Sequence, residues 1–392
     1  MSKKLKFLIK IIDLLVSIVL TLFYTFNNRY RNVWLICERR DEARDNGYSF
    51  FKFMRNEHPQ ENVYYLIDKH SKGDYEKIKD LGNIVSYGGY KHKVLFIVAN
   101  ILVTAHKGTI EPWNYKLYEK TVGRLLKKKK KYIFLQHGIT KDNVSDILGR
   151  TNTPFDLFIT GGKPEFNYIS SYFGYKANEV VYTGFPRFDA IFKKDKLTRT
   201  ILLMPTWRKD IISSENDINN FTNSNYYIRF QSLINNRVFM DFLENNDFTL
   251  LFYPHYEMQI FNNSFYSYSK RVIVASKSSH DVQQLLKESV FLITDYSSVF
   301  FDFAYMYKPQ IYYQFDGNDF FESHYKKGYF DYEKDGFGPV AKNEVEVINY
   351  IYTSFKNNFE IDKYYKERID TFFEIRDQNN CKRVYEAIVK II

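Results

Sequence analysis

Two histidines follow apolar segments in opposite halves of the chain. His137 follows the segment 132–135 in a Gln-His-Gly triplet, and His255 follows the segment 249–253. A histidine near its ordinary pKa can take a proton from a hydroxyl group at neutral pH. Facing each other across a cleft, the pair would form a catalytic site, whereas each one alone is more typical of a surface or core histidine.

Hydroxyl groups occupy a similar position later in the chain. Asp295, Ser297 and Ser298 lie between the apolar segment 291–294 and the helix-like run 299–307. The unpaired amide groups at the start of a helix bind phosphate well, which predicts a phosphate site here. The alternative is that Asp295 or one of the serines only caps the helix.

Two arginines also follow strand-like segments and a proline. Arg187 and Arg208 each offer a planar guanidinium fork that suits phosphate oxygens, and the alternative for each is a surface salt bridge. The sequence contains neither a GxxxxGK[ST] motif nor a GxGxxG motif after a strand, so ordinary ATP or dinucleotide sites are not indicated. No HExxH, HxH or Cys/His cluster predicts a metal site either.

Short apolar segments that alternate with amphipathic ones must position these side chains. This alternation predicts parallel βαβ units, in which ligands lie at the carboxyl ends of the strands. The predicted strands of the first half are 33–37, 63–67, 101–104, 132–135, 157–160 and 180–183. Those of the second half are 200–204, 249–253, 271–274, 291–294 and 310–313. The segment 210–225, rich in Ser and Asn, is predicted to be a surface loop.

The chain of 392 residues is long enough for two domains. The charged segment 192–199 is the predicted hinge between an acceptor-side domain at 31–191 and a donor-binding domain at 200–378. A C-terminal helix at 379–392 is expected to pack back on the N-terminal domain. Cys37 and Cys381 have no disulfide spacing, which fits a reducing compartment.

The first thirty residues are predicted to form a membrane-associated helix. The uninterrupted apolar run 14–26 has 13 residues, fewer than the roughly 20 that span a bilayer. Polar residues recur at spacings of three and four and so share one helical face, as in a helix that lies on a membrane surface. They are Lys3, Lys6, Lys10, Asp13, Ser17 and Thr21. A spanning helix and a helix packed against protein are the alternatives.

The net charge of +10 favours a polyanionic partner, which could be an anionic membrane, a phosphate-rich polymer or nucleic acid. A basic surface without a specific ligand is the bland alternative. No nucleic-acid recognition motif is present, so a nucleic-acid partner is not expected.

Six motifs occur in a fixed order. They are QHGIT at 136–140, TGFPRFD at 183–189, PTWR at 205–208, YPH at 253–255, TDYSSVFFDFAY at 294–305 and KPQIYYQFD at 308–316. In this order they resemble the CDP-glycerol glycerophosphotransferase family, which includes teichoic-acid polymerases and primases. The resemblance covers about residues 35–392 and is strongest over 132–316.

The resemblance implies a GT-B-like architecture, with two Rossmann-like domains that face each other across a cleft. It implies that the C-terminal domain holds the CDP donor and that transfer releases CMP without a metal ion or another cofactor. His137 and His255 match the two functional histidines of the family, and Arg208, Asp295, Ser297 and Ser298 match positions around the donor phosphates. Arg187 lies in a matching motif whose role is less defined.

After the Gln-His-Gly triplet, residues 139–142 read Ile-Thr-Lys-Asp where many family members carry a Thr-Pro-Leu-Lys-like stretch. The identity of the acceptor therefore stays open.

The expected activity is transfer of glycerol-phosphate, or a similar polyol-phosphate, from a CDP-linked donor to a hydroxyl group of a teichoic-acid-like or capsular polymer. The acceptor would be polymeric or lipid-linked, and the reaction would take place at the cytoplasmic face of an anionic membrane. The alternatives are a related transferase that uses CDP-ribitol or a nucleotide sugar, and an inactive membrane-associated scaffold that binds polymer.

Overall fold

A computed structural model describes residues 3–24, 30–113, 130–192, 196–213, 217–323 and 326–392. Its strands form two parallel sheets, one in each half of the chain. This arrangement confirms the predicted α/β class with two Rossmann-like domains. The sheet changes between residues 182 and 200, the interval that contains the proposed hinge, whose role as a hinge stays a prediction.

The first sheet has seven parallel strands in the order β3-β2-β1-β4-β5-β6-β7. They are β1 (Trp34–Cys37), β2 (Val63–Ile67), β3 (Ile84–Ser86), β4 (Ile101–Thr104), β5 (Lys131–Phe134), β6 (Leu157–Thr160) and β7 (Val180–Tyr182). The short strand β3 was not predicted. Because the strand order reverses at β1 and β4, the carboxyl ends of these strands open a crevice for a ligand.

The second sheet has six parallel strands in the order β10-β9-β8-β11-β12-β13. They are β8 (Thr200–Met204), β9 (Thr249–Phe252), β10 (Val272–Val274), β11 (Phe291–Thr294), β12 (Gln310–Tyr313) and β13 (Val340–Ala341). The reversal lies at β8 and β11, directly before the segments that carry Arg208 and Ser297. Six of the thirteen described strands, among them the central β1, β4 and β11, are buried along their whole length, as expected of sheets covered by helices.

Helices connect the strands in both halves. Those of the first half are α1 (Lys3–Tyr24), α2 (Asn46–Glu57), α3 (Lys72–Ile78), α4 (Tyr90–Val98), α5 (Ser145–Leu148), α6 (Lys163–Tyr172) and α7 (Phe188–Ile191). Those of the second half are α8 (Lys209–Ser213), α9 (Ile218–Thr222), α10 (Asn225–Ile234), α11 (Arg237–Asn245), α12 (Val282–Glu288), α13 (Val299–Tyr305), α14 (Gly317–Ser323), α15 (Glu344–Lys356), α16 (Lys363–Phe372) and α17 (Asn380–Val389). Two 3₁₀ helices add Lys79–Leu81 and Tyr256–Ser264.

The segment 210–225 is not the loop that its composition predicted, since it contains most of α8 and all of α9. Asp217 caps α9 by accepting a hydrogen bond from the Asn219 amide at 2.8 Å. Phe221 is fully buried, and its ring stacks on Phe261 with centroids 4.2 Å apart. Burial of this aromatic side chain outweighs the loop-forming tendency of its polar neighbours.

The end of the chain returns to the first domain. Helix α17 contacts α2 and α7, and Tyr385 stacks on Trp34 of β1 with centroids 6.0 Å apart. The Asp189 carboxylate accepts hydrogen bonds from the backbone amides of Asn380 (2.8 Å) and Cys381 (2.9 Å). The chain therefore crosses between the two domains a second time after residue 341.

Helix α1 packs along α4 with its polar face towards the protein. Ser17 and Thr21 are buried and donate hydrogen bonds to backbone carbonyls one turn earlier. The Asp13 carboxylate accepts from the Lys93 ammonium at 2.5 Å and from the Trp113 indole at 2.8 Å. The exposed side chains are apolar: Ile12, Leu15, Val16, Val19, Leu22 and Phe23.

The predicted stripe of polar residues is therefore present at 13, 17 and 21 and faces α4, while the side chains of Lys3, Lys6 and Lys10 lie outside the described ones. Within the ranges that the structure covers, no helix combines the length and the apolar character needed to cross a membrane.

Candidate active site

The loop that carries His137 is held from below by buried polar groups. Gln136 adopts a left-handed conformation with φ of 58°, and its side-chain amide donates to the carboxylate of Glu165 at 3.0 Å. Glu165, in α6, is fully buried and also accepts from the backbone amides of Thr140 at 2.6 Å and Gly161 at 2.7 Å. Several N–H donors converge on one buried carboxylate, so the loop after β5 is fixed at both ends.

Asn46, at the start of α2, ties this loop to the one that carries Arg187. Its side-chain amide donates to the carbonyls of Leu135 at 3.2 Å and Gln136 at 2.7 Å, while its oxygen accepts from the Arg187 amide at 3.1 Å. The side chain is fully buried, so these bonds are shielded from water.

His137 is accessible from the cleft, and its ring is oriented by the segment after β4. The Ala105 carbonyl favours a proton on the His137 ring, and the His106 ring stacks on it with centroids 4.4 Å apart and planes inclined by 13°. The surrounding cleft walls shield the ring from bulk water, and Arg39 and Arg187 oppose a second proton on it. Both effects place the pKa of His137 below its ordinary value.

His255 follows β9 on the opposite wall and is half-buried. Its Nδ1 accepts a hydrogen bond from the Glu257 amide at 3.4 Å, at the start of the 3₁₀ helix Tyr256–Ser264. The Trp207 ring lies nearly parallel to the His255 ring, with centroids 6.2 Å apart. The ring is thus held from the backbone on one edge and by an aromatic neighbour on one face.

Ser297 and Ser298 are partly exposed and lie directly before α13. Ser298 makes no side-chain capping hydrogen bond to this helix, so simple capping does not account for its hydroxyl. A Cβ atom built on Gly138, beside His137, would lie 2.9 Å from the Ser298 Oγ. The loop of the first domain therefore meets the serines of the second domain at close range.

Two cavities in the interdomain cleft share His137, His255, Tyr256, Ser297 and Ser298 in their walls. The smaller, of 210 Å³, is also lined by Met204, Val282 and Leu286 and by the cationic side chains of Arg44, Arg187 and Lys277. The larger, of 450 Å³, is also lined by His106, Lys107, Thr140, Ile147 and Trp207. Four of the predicted site residues thus lie in the wall that the two cavities share: His137, His255, Ser297 and Ser298.

Arg187 is almost fully buried and joins the two domains. Its guanidinium donates twice to Asp302 of α13, at 2.6 and 2.8 Å, and once to Asp45 of the first domain at 2.8 Å. It lines the smaller cavity with these carboxylates as partners. The structure therefore gives Arg187 a bridging position at the cleft and not the surface salt bridge that was its alternative.

Arg208 and Asp295 lie beneath the cleft and are in the wall of neither cavity. The Arg208 guanidinium donates to Asp295 at 2.9 Å and to Asp316 at 2.9 Å, and it is 5% exposed. The fully buried Asp295 accepts from the backbone amides of Thr206 and Tyr296, which precede Trp207 and Ser297. These contacts support the loops of the C-terminal wall, and direct contact of either residue with phosphate stays a prediction.

The family of the chain follows from a comparison with family models. The model for CDP-glycerol:poly(glycerophosphate) glycerophosphotransferases matches residues 18–390. The chain belongs to this family.

The similarity to curated relatives extends well beyond the six motifs. The minor teichoic acid biosynthesis protein GgaB of Bacillus subtilis (strain 168) is 34% identical over 401 residues, which cover 100% of this chain and 43% of GgaB. The teichoic acid poly(glycerol phosphate) polymerase of Bacillus spizizenii (strain ATCC 23059 / NRRL B-14472 / W23) is 26% identical over 227 residues, 53% of each chain. The chain thus spans about half the length of these curated relatives.

The solved structure of the wall teichoic acid polymerase TagF superimposes with a TM-score of 0.65 at 17% identity and covers 92% of this chain and 89% of that one. The likeness shows that the two proteins share the fold.

Several residues that line the cleft were not among the predicted site residues. Lys277 donates across the cleft to Glu42 at 2.9 Å and Asp41 at 3.1 Å, and Arg39 lies over the Tyr256 ring at 4.4 Å. These pairs involve residues more than 200 positions apart, and no local motif indicates them. His106, by contrast, follows a predicted strand just as His137 does, so its position at a strand end could have revealed it.

Proposed function

We propose that the protein transfers a polyol-phosphate, glycerol-phosphate in the first instance, from a CDP-linked donor to a hydroxyl group of a teichoic-acid-type acceptor. The acceptor oxygen would form a bond to the β-phosphorus as the bond from that phosphorus to CMP breaks, and the hydroxyl proton would pass to the protein. The observation that carries the proposal is that His137 and His255, one from each domain, line the same two cavities beside Ser297 and Ser298. Membership of the family supports the donor and the reaction type.

The hydrogen bonds of the two rings suit opposite roles. Because the Ala105 carbonyl favours a proton on the nearer nitrogen of the His137 ring, the other nitrogen of the neutral ring carries a lone pair. That nitrogen can accept the proton of the acceptor hydroxyl, which makes His137 the general base.

His255 accepts a hydrogen bond at Nδ1, so the proton of its neutral ring lies on Nε2. An N–H donor at this position would bind a phosphate oxygen and stabilise the charge that develops during transfer. Ser297 and Ser298 add hydroxyl donors on the same wall.

The two cavities would divide the substrates between them. We assign the nucleoside end of the donor to the smaller cavity, where apolar side chains of α12 lie beside Arg44, Arg187 and Lys277. The acceptor would enter the larger cavity, which includes Thr140 of the segment that departs from the family motif. The reacting phosphorus would then lie between them, next to both histidines.

Transfer without a metal ion is part of the proposal. Phosphoryl transfer depends mainly on positioning and on neutralising phosphate charge, and cationic side chains and hydroxyl groups line the wall where the phosphates would bind.

A donor panel tests the reaction. The full chain is incubated with CDP-glycerol, CDP-ribitol or a UDP-sugar in the presence of a lipid-linked primer, and the released nucleotide and the product mass are measured. We expect CMP release together with a gain of one or more polyol-phosphate units. Release of UDP from the sugar donor without CMP from either CDP donor would overturn the proposal.

We further propose that the protein works on the cytoplasmic face of the cell membrane and that α1 binds the membrane surface through its exposed apolar side. Phe23 is 73% exposed, Leu22 59% and Leu15 56%, and they share the face opposite the contact with α4. A row of exposed apolar side chains on one helix is typical of a surface that lies in lipid. The ion pair of Asp13 with Lys93 fixes this orientation.

Vesicle binding tests this part. We expect the double variant Leu15→Asp, Leu22→Asp to lose most of the binding of the full chain to vesicles that contain anionic lipid. Ile218→Asp, which changes an equally exposed side chain in the second domain, is the matched control. Equal binding of all three proteins would refute the role of α1.

A further inference from the structure

His106 is close to the proposed reaction centre but has no part in the mechanism above. It follows β4 by two residues, as His137 follows β5 by three, and β4 pairs with β5 in parallel register, with Thr104 opposite Phe134. The segments that leave the two strands therefore run side by side. Their histidine rings overlap with centroids 4.4 Å apart and planes inclined by only 13°.

The segment that carries His106 is locally fixed. The His106 carbonyl accepts hydrogen bonds from the hydroxyls of Thr104 at 2.6 Å and Thr109 at 2.9 Å, and the His106 amide donates to the Thr104 hydroxyl at 3.2 Å. The carbonyl of the residue between, Ala105, favours a proton on the His137 ring. A three-residue segment thus acts on His137 through a carbonyl group and through the face of a ring.

His106 contacts His137 through the face of its ring. Its Nδ1 is buried and has no hydrogen-bond partner among the residues that the structure describes. A buried nitrogen without a partner costs stability, and its burial keeps this nitrogen out of contact with the cavity. The parallel stack on His137, by contrast, restricts rotation of that ring about its side-chain bonds.

We propose that His106 is a positioning residue for the transfer: its stacked ring holds His137 in the plane in which the lone pair of His137 meets the acceptor hydroxyl. The inference rests on the proposed role of His137 as base. A base must lie within hydrogen-bond reach of the proton that it takes, and small displacements of a catalytic group have large effects on rate.

The stack also favours the neutral form of His137. Arg39, Arg187 and His106 face this ring from the first domain, and His255, Ser297 and Ser298 share its cavities from the second. The His106 ring covers one face of His137 and keeps water from it, which disfavours the protonated form, and the two arginines repel a positive charge on that ring. A ring that stays neutral keeps its lone pair for the acceptor.

Two variants of similar size separate the ring from its nitrogens. His106→Phe keeps an aromatic face and removes both nitrogens, whereas His106→Gln keeps a polar side chain and removes the ring. We expect His106→Gln to lower kcat by ~10-fold or more with little change in the KM of the donor, and His106→Phe to stay within ~3-fold of the unsubstituted protein. His70→Gln, in an exposed loop, is the matched control.

A second measurement does not depend on turnover. The titration of His137 is followed by NMR on histidine-labelled full chain, with thermal unfolding to verify that each variant folds. We expect the His137 pKa to rise towards its ordinary value in His106→Gln and to change little in His106→Phe. An active Gln variant beside an inactive Phe variant would show that a nitrogen of His106 acts, which overturns the inference, as would two folded variants that match the unsubstituted protein in rate and titration.

His137→Ala is assayed in parallel. If it keeps full turnover, the proposed role of His137 fails. If it loses turnover while both His106 variants behave like the unsubstituted protein, only the inference about His106 fails.

Discussion

The two walls of the cleft hold their histidines by different means. On the N-terminal wall, uncharged amide groups and a single buried carboxylate, Glu165, fix the loop of His137. On the C-terminal wall, the buried guanidinium of Arg208 between Asp295 and Asp316 supports the loops next to His255 and Ser297. The loop of His137 thus depends on a hydrogen-bond network around one carboxylate, and the loops next to His255 and Ser297 depend on buried ion pairs.

The two histidine rings also differ in their contacts with the backbone. The Ala105 carbonyl favours a proton on one nitrogen of the His137 ring and so leaves a lone pair on the other, whereas the His255 ring accepts from an amide and so offers an N–H group. In the proposed mechanism, similar residues in similar positions at strand ends would therefore take opposite proton roles. We therefore expect substitutions in the N-terminal wall to affect proton removal, and substitutions in the C-terminal wall to affect phosphate binding and domain stability.

The largest expected effect is on turnover. We expect His137→Ala and His255→Ala each to lower kcat by ~10²–10⁴-fold, because in the proposed mechanism each removes a group that acts on the reacting atoms. Steady-state rates of CMP release measure the loss, and His70→Ala is the control. If the two walls act as proposed, only His255→Ala should also raise the KM of the donor. The same change in KM for both variants would show that the two histidines do not differ in this way.

The next effect concerns the buried ion pairs. Arg208→Met leaves the carboxylates of Asp295 and Asp316 without their cation, which we expect to destabilise the protein by ~3–5 kcal/mol. Denaturant unfolding measures the difference. Arg271→Met removes surface pairs with Glu244 and Asp247 and should change stability far less. Similar unfolding midpoints for the two variants would contradict a supporting role of Arg208.

A smaller effect appears in the pH dependence. The pKa of His137 is lowered by enclosure in the cleft and by Arg39 and Arg187, so its neutral, proton-accepting form persists when the pH falls below the ordinary histidine value of about 6.5. We expect the acid limb of kcat/KM to lie below that pH, and Arg39→Gln to move the limb upwards by removing one positive charge. An acid limb above pH 6.5 in the unsubstituted protein would rule out this protonation state.

For the removal of metal ions we expect no effect on the rate. If side chains of the two walls supply all the positive charge that the phosphates need, an excess of EDTA should leave the rate of CMP release unchanged. Rates are compared before and after chelation and again after Mg²⁺ is added back. A loss that Mg²⁺ restores would show that the walls alone are insufficient.

Local patterns predicted the elements and the strand-end positions of the site. Alternating apolar segments were enough for eleven of the strands, and parallel topology placed His137, His255, Ser297 and Ser298 at adjoining edges. The two arginines show where such reasoning ends. Arg187 and Arg208 follow similar turns in sequence, yet one bridges the domains and the other lies below the cleft. Their partners, Asp302 and Asp316, are more than 100 residues away, so no local pattern could separate the two cases.

Helix α1 also shows how much a local sequence pattern can predict. Its periodicity predicted the polar face, but the side on which the protein lies depends on Lys93 and Trp113, about 80 and 100 residues further on. Segment 210–225 differs from the predicted loop because burial of a single aromatic residue, Phe221, outweighed the loop-forming composition around it.

Gly138 has a consequence that reaches beyond its own loop. The space that a methyl group would need there is occupied by the hydroxyl of Ser298 from the other domain. Any larger residue would first have to turn that hydroxyl away from its present direction. The absence of a side chain at Gly138 therefore allows the two domains to approach each other as closely as they do, and even an alanine at this position would displace the Ser298 hydroxyl from its present place.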